Sequence, residues 1–267
     1  MLRNYKTAVI TGGSSGIGLS LAYELLDYDM ELYLVSENDI QLKTAHSDLL
    51  KKHPSAKVQI FCYDLSNMDQ IHEFQNELDT NKISVDLLVN NAGFGAWGYL
   101  LDNALEKEET MISLMVNGTY KLTRSFLKDM IEKDHGCIVN VASIAAFQPN
   151  PTLATYGACK AWIYNWTRAI KEELMDQNSR VQCIAVCPTP VRTNFQKTAQ
   201  MHESNLFDGP FTVEPQDVAK SIIKGINRNR SKIVPVFWLE VLQRFTLRLP
   251  ESWRIMIGKS MLSRNHD

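Results

Sequence analysis

The chain has 267 residues, of which 45% are hydrophobic and 22% charged, and its formal net charge is −2. That length and apolar content suffice for one large buried core. So even a charge balance offers no field to gather a polyanion, which argues against nucleic acid as a partner. The opening MLRNYKTAVIT has too few residues before its first β-branched run to read as a signal peptide. No stretch stays apolar for the length a bilayer requires, so no membrane span is expected. The five cysteines, Cys62, Cys137, Cys159, Cys183 and Cys187, are scattered and complete no metal-ligand set. They read as buried free thiols in a reducing compartment, hence a cytoplasmic protein with no metal.

Along the chain, β-rich apolar runs at 7–11, 31–36, 57–63, 85–90, 137–141, 181–187 and 232–236 alternate with amphipathic patterns. The helical patterns lie near 16–28, 38–52, 67–80, 106–133, 154–177 and 215–228. Strand–helix alternation of this kind predicts right-handed crossovers and a doubly wound α/β fold, a parallel sheet of about seven strands with helices on both faces. Continuously apolar runs such as AVI, DLLV and IVNVA suit strands buried on both sides. No linker, charge block or repeat divides residues 1–236, which read as a single domain. Two segments break the rhythm. Residues 194–215 are long, polar and mixed, the kind of loop that usually carries function. The tail, 237–267, mixes large apolar residues with Arg244, Arg248, Arg254, Lys259 and Arg264. It reads as a helical tail capping the sheet edge or a partner subunit, with a membrane-surface helix as the alternative.

The first strand runs straight into Thr11-Gly12-Gly13-Ser14-Ser15-Gly16-Ile17-Gly18, and a helix follows. Glycine is needed where a strand reverses into a helix and where a ligand approaches the backbone closely. The helix start then offers free N–H groups and a positive dipole end to a pyrophosphate. Gly12, Gly16 and Gly18 fit those roles, on a wider spacing than the common Gly-x-Gly-x-x-Gly. The second strand ends in Ser36-Glu37-Asn38. A carboxylate there suits a free ribose 2′-hydroxyl, whereas a 2′-phosphate calls for Arg or Lys. The turn itself carries Ser14 and Ser15 rather than a base. The cofactor is therefore NAD or NADP, with Glu37 favouring NAD and Lys43 close enough to count on the other side.

Tyr156 and Lys160 stand four apart in a helical pattern, so both project from one face. A free phenol titrates near 10, and a nearby ammonium favours its ionised form. Such a pair could serve as acid and base toward a carbonyl or alcohol, with the phenol brought down toward neutrality. Together with the glycine turn, the run Asn90-Asn91-Ala92-Gly93, Asn117, Ser143 and Tyr156-Gly157-Ala158-Cys159-Lys160 occur in the order and spacing of one family. Over about residues 6–236 the sequence resembles the short-chain dehydrogenases/reductases. The resemblance implies a Rossmann-type fold and hydride transfer between a nicotinamide dinucleotide and a small carbonyl or alcohol substrate. It implies that Ser143 holds the substrate oxygen, that Asn117 holds a water linking Lys160 to solvent, and that Lys160 also reaches the nicotinamide ribose.

The same resemblance implies cofactor contacts from Gly12, Ser14, Ser15, Gly16, Ile17, Gly18, Glu37, Asp64, Leu65, Asn90, Ala92, Gly93, Tyr156, Lys160, Pro188, Val191 and Thr193. Thr189 departs from the pattern, standing where the family usually has glycine. The pocket would be bounded by residues 93–101, 143–151 and 194–215, with Phe94, Trp97, Tyr99, Phe147, Phe195 and Phe207 favouring an apolar carbonyl compound. The helix bearing Tyr156 is apolar nearly all round, which points to a homodimer or homotetramer. Two other readings compete with an enzyme: a non-catalytic dinucleotide-sensing regulator, and a membrane-surface-docked protein of the same fold.

Overall fold

Strands that are apolar on both sides have to be covered on both sides, and that requirement shapes the whole molecule. A computed structural model describes residues 2–201, 204–207, 209, 211–236, 240, 241, 245, 246 and 248–262. Its strands are β1 (Thr7–Thr11), β2 (Glu31–Ser36), β3 (Val58–Cys62), β4 (Leu87–Asn90), β5 (Cys137–Val141), β6 (Gln182–Val186) and β7 (Lys232–Ile233). They form one parallel sheet in the order β3-β2-β1-β4-β5-β6-β7. The last strand is shorter than its apolar run because Pro235 has no N–H to give to a ladder.

The helices are α1 (Gly16–Leu26), α2 (Asp39–Lys52), α3 (Met68–Thr80), α4 (Leu105–Ile112), α5 (Thr119–Glu132), α6 (Ala154–Asp176), α7 (Phe195–Thr198), α8 (Pro215–Asn227) and α9 (Glu251–Leu262). Strand side chains alternate between two cores, as a period of two requires. Ala8, Ile10, Leu32, Leu34, Val139 and Val186 face one core, which α1, α2 and α8 close through Leu21, Leu25, Leu42, Leu49 and Ile222. Val9, Tyr33, Leu88, Ile138 and Cys183 face the other, which α3, α5 and α6 close through Phe74, Leu78, Phe126 and Leu174. Four cysteines are buried, whereas Cys62, at the end of β3, is exposed, contrary to the expectation that all five are internal. No described helix is long and apolar enough to cross a membrane.

The amphipathic stretch 106–133 is not one uniform helix. Between α4 and α5 the backbone widens into a π-helical turn, Ser113–Gly118, a feature that often marks functional positions. A Cβ on Gly118 would lie 2.6 Å from the Leu65 carbonyl oxygen, so the absence of a side chain there lets this turn close on the end of β3.

Below the carboxyl ends of the strands runs a buried polar chain. Asn90 Nδ2 donates to Asn140 Oδ1 at 2.8 Å and to Thr123 Oγ1 at 2.9 Å, and Asn140 Nδ2 donates to Thr167 Oγ1 at 2.9 Å. Thr167 Oγ1 in turn donates to the Ile163 carbonyl at 2.6 Å. This chain links β4 and β5 to α5 and α6 and fixes how α6 lies on the sheet. Replacing Thr167 by Val leaves the Asn140 amide without its acceptor. An unmade buried hydrogen bond costs about 1–3 kcal/mol, so urea denaturation should give a lower midpoint for Thr167→Val. An unchanged midpoint would remove the network from the list of stabilising features.

Candidate active site

The strand order reverses direction between β1 and β4, and in open parallel sheets ligands settle at that crevice, outside the carboxyl ends of the strands. A cavity of about 840 Å³ opens there. Gly12, Ser14, Ser15, Gly16, Ile17 and Glu37 line one end, Ser143, Tyr156 and Lys160 the middle, and a group of phenylalanines the other end.

The turn after β1 holds its shape because two positions adopt left-handed backbone, Gly12 at φ +62° and Gly16 at φ +54°. Gly18 matters for space instead, since a Cβ there would lie 2.3 Å from the Gly12 carbonyl oxygen. Ser15 stands at the N-cap of α1 and makes no side-chain hydrogen bond to the first turn. The helix start is thus left open toward the cavity, as an anion cradle requires. Asn91 ties this turn to β4: its Nδ2 donates to the Thr11 carbonyl at 3.0 Å and the Gly12 carbonyl at 3.3 Å. The sequence reading named Asn90 and overlooked Asn91. Asn90 is buried in the polar chain beneath and does not line the cavity, whereas Asn91, Ala92 and Gly93 do. Asn90 is the last residue of β4 and points into the layer beneath, whereas the lining comes from the segment that leaves the strand.

At the end of β2, Ser36 Oγ lies 3.1 Å from Ser14 Oγ, and Glu37 is exposed at the rim. Lys43 is ion-paired with Asp39 at 2.7 Å on the surface of α2. Asp64 accepts from the Ser66 N–H and hydroxyl through one oxygen, and with Leu65 it lines the cavity beside α3. Pro188, Val191 and Thr193 line the opposite wall. Thr189 sits there without left-handed backbone, so the usual glycine's freedom is not needed, and its Oγ1 is buried with no partner. An orphaned hydroxyl, an open helix start and a turn that only glycines can make all fit a bound dinucleotide.

Ser143 follows β5 in extended backbone (φ −169°, ψ 162°), its hydroxyl accepting from the Ala145 N–H at 3.1 Å. Asn150 holds this loop by donating to the Ala145 and Gln148 carbonyls, each at 2.7 Å. It approaches α6 so closely that a Cβ on Gly157 would lie 2.4 Å from its Nδ2. Tyr156 and Lys160 project from the first turns of α6. The Lys160 ammonium donates to the Val141 carbonyl at 2.8 Å and lies 5.7 Å from the centre of the Tyr156 ring.

Burial pushes the Tyr156 phenol up to about 12, against which a hydrogen bond with Ser143 acts to lower it. Burial likewise brings Lys160 down to about 8. The expectation that the ammonium draws the phenol down toward neutrality is therefore not met in the chain by itself. Loss of water around the hydroxyl outweighs attraction from a cation one helical turn away. At neutral pH the phenol keeps its proton and the ammonium its charge.

Asn117 does not join this group. It is exposed on the π-helical turn and lies outside the cavity lining. Met115 occupies the inward position instead: it is fully buried, and a Cβ on Gly93 would lie 2.9 Å from its Sδ and 3.6 Å from Lys160 Nζ. A thioether therefore stands where the resemblance led us to expect an amide. Two residues along a helix carry a side chain most of the way to the opposite face, so only the local winding could decide which one faced inward.

Phe94, Phe147, Phe195 and Phe207 line the apolar end, with the Phe195 ring tilted at 58° to that of Tyr156, 5.2 Å between centres. Tyr99 is 70% exposed, and Trp97 is buried behind the wall, in one cluster with Phe207 and Leu262, so neither joins the lining itself. Of the tail, Glu240 pairs with Lys232 of the edge strand β7 at 3.8 Å, and the described helix lies over the site. This helix, α9, roofs the cavity: Leu262 packs with Phe207 and Leu153, its carbonyl accepts from Trp97 Nε1 at 3.3 Å, and Arg254, Gly258 and Leu262 join the lining. Arg244 and Arg264 lie outside the described residues.

The buried lysine makes stability depend on pH. Lys160 ordinarily binds its proton up to about 10.5 and here only to about 8, so between those values the unfolded chain binds more protons than the folded one. The cost of burying its charge is fully present below pH 8 and fades toward 10.5. A shift of that size corresponds to about 3 kcal/mol. Lys160→Met should gain most on the parent at pH 6–7 and lose that advantage as pH rises to 10. Denaturation series across this range read the difference, and a constant margin would contradict the assignment.

A family model described as short chain dehydrogenase matches residues 6–204. A short-chain type dehydrogenase/reductase of Sinorhizobium fredii is 30% identical over 223 residues, 82% of this chain and 84% of that one. A 3-oxoacyl-[acyl-carrier-protein] reductase of Chlamydia muridarum is 32% identical over 184 residues, 67% of this chain and 72% of its own. Among solved structures, a short-chain dehydrogenase/reductase from Burkholderia phymatum in complex with NAD superposes with a TM-score of 0.79 at 25% identity, covering 90% of this chain and 92% of that one. The strand order, the glycine turn at the switch point and the Ser143–Tyr156–Lys160 cluster agree with these likenesses, and the chain belongs to the short-chain dehydrogenase/reductase family of nicotinamide-dinucleotide-dependent oxidoreductases, which act on carbonyl and alcohol groups.

Proposed function

We propose that this chain reduces an apolar carbonyl compound, with Tyr156 as the proton donor. The observation that carries this reading is a phenol that lines the same cavity as Ser143 and the glycine turn, with a buried ammonium one helical turn away anchored on the Val141 carbonyl. The turn from Gly12 to Gly18 would hold the phosphates, Asp64 and Leu65 the adenine side, and Pro188, Val191 and Thr193 the far wall. The dinucleotide, when bound, supplies the hydride. Ser143 would hold the substrate oxygen, and Tyr156 would give its proton to that oxygen as negative charge grows there. Lys160 would steady the phenolate left behind, which burial alone disfavours. A non-catalytic sensor would need none of these three groups. Residues 1–236 form the working domain in this reading, and α9 completes its substrate end.

NAD is the preferred dinucleotide on the same reading. Glu37 stands at the rim where the ribose would lie, and Lys43, the nearby base, is already paired with Asp39. Relatives of the fold bind either form, one from Sphingobium yanoikuyae being in complex with NADPH. A homo-oligomer joined through α5 and α6 would cover the stacked Trp162–Trp166 pair, its neighbour Tyr120 and the exposed Ile131 and Met175. A monomer in sedimentation at micromolar concentration would count against that assembly.

Absorbance at 340 nm, with NADH and NADPH against an aldehyde and ketone panel, tests the proposal. Turnover should be faster with NADH. Tyr156→Phe should lose about 10²–10⁴ in kcat with dinucleotide affinity nearly unchanged, while Asn117→Ala stays within about threefold of the parent. Undiminished turnover in Tyr156→Phe would falsify the proton-donor role.

A further inference from the structure

The apolar end of the cavity contains one feature that carbonyl reduction does not use. Phe94, Phe147, Phe195, Leu206, Phe207 and Leu262 make its walls, and Arg254 of α9 reaches in among them. The Arg254 Nη1 donates to the Phe147 carbonyl at 3.5 Å, a long contact, while its Nε is buried and has no partner. No ion pair engages this guanidinium among the described residues. The acidic residues that line the cavity, Glu37 and Asp64, stand at the dinucleotide end.

A buried cationic donor with no acceptor is costly unless a ligand provides one. With Nη1 turned to Phe147, the edge formed by Nε and Nη2 remains, and that edge is a parallel pair of donors that matches the two oxygens of a carboxylate. We propose that Arg254 is a specificity-determining residue and that the substrate is a keto acid: a carbonyl at Ser143 and Tyr156, an apolar body, and a carboxylate on Arg254. Gln148 and Thr246 also line the cavity, but among the described residues Arg254 brings the one cation of this end, and its two-donor edge matches a carboxylate. The proposal rests on the carbonyl-reductase reading for the first of those contacts and on Arg254 alone for the last. α9 then has a definite role, since the tail contributes the group that selects the far end of the substrate.

Two measurements test it. Keto acids with two to five methylenes between carbonyl and carboxylate should be reduced with kcat/KM about tenfold to hundredfold above their methyl esters, the range expected for one charge-assisted hydrogen-bonded pair. Arg254→Met should erase that preference through KM, leaving the esters nearly unchanged, and Arg254→Lys should keep part of it. Separately, octanoate should raise the melting temperature of the parent chain more than methyl octanoate does, and Arg254→Met should remove the difference. Equal handling of acids and esters by the parent, or an octanoate effect retained in Arg254→Met, overturns the assignment. An octanoate effect that depends on Arg254 in a chain that reduces no carbonyl would sustain the anion site and reject the reductase reading, so the two failures are distinguishable.

Discussion

A buried ammonium bonded to one main-chain carbonyl organises this site. Lys160 leaves water to donate to Val141 at the end of β5, and this bond joins the helix that bears the phenol to the strand that precedes Ser143. Because Tyr156 lies one helical turn before Lys160, anchoring the lysine places the phenol above the strand ends. The polar chain through Asn90, Asn140 and Thr167 repeats the linkage one layer deeper. Met115 gives the lysine an apolar neighbour, so its charge is held in place by geometry against a solvation cost rather than by a pairing carboxylate.

The polar atoms left unsatisfied are informative in the same way. Thr189 and Arg254, whose Oγ1 and Nε are unpartnered, both border the cavity, one on the wall of Pro188 and Val191 and one at the apolar end. Asn90 Oδ1, Thr152 Oγ1 and Arg168 Nη1 are unmatched as well, away from the lining, so the two at the cavity are the ones a bound ligand could complete. The glycine turn works by a different kind of omission. There the missing Cβ atoms and left-handed backbone keep the helix start open to an anion.

Much of this was legible in the sequence. The period of the apolar runs located every strand to within a few residues and gave the parallel, doubly wound arrangement, because burial on both faces leaves an unbroken apolar run. Spacing alone put Tyr156 and Lys160 on one helix face. Gly12, Gly16 and Gly18 were readable because only glycine tolerates those dihedrals and approaches. Where local periodicity was ambiguous the reading failed. Asn90 closes β4 and Asn91 follows it, and only the packing around the strand end decides which of the two amides meets the cavity. Asn117 and Met115 are exchanged by the π-helical widening, which no propensity in the stretch announces.

What the sequence determined by itself was therefore the fold class, the glycine turn after β1 and the identity of the phenol–ammonium pair, since each follows from a local period or a local backbone constraint. What only the tertiary structure decided was the electrostatic state of that pair and the place of the tail. Both depend on which atoms from distant segments exclude water. Burial raises the phenol and lowers the ammonium, and α9 meets the Ser143 loop and Phe207 across more than fifty residues of chain.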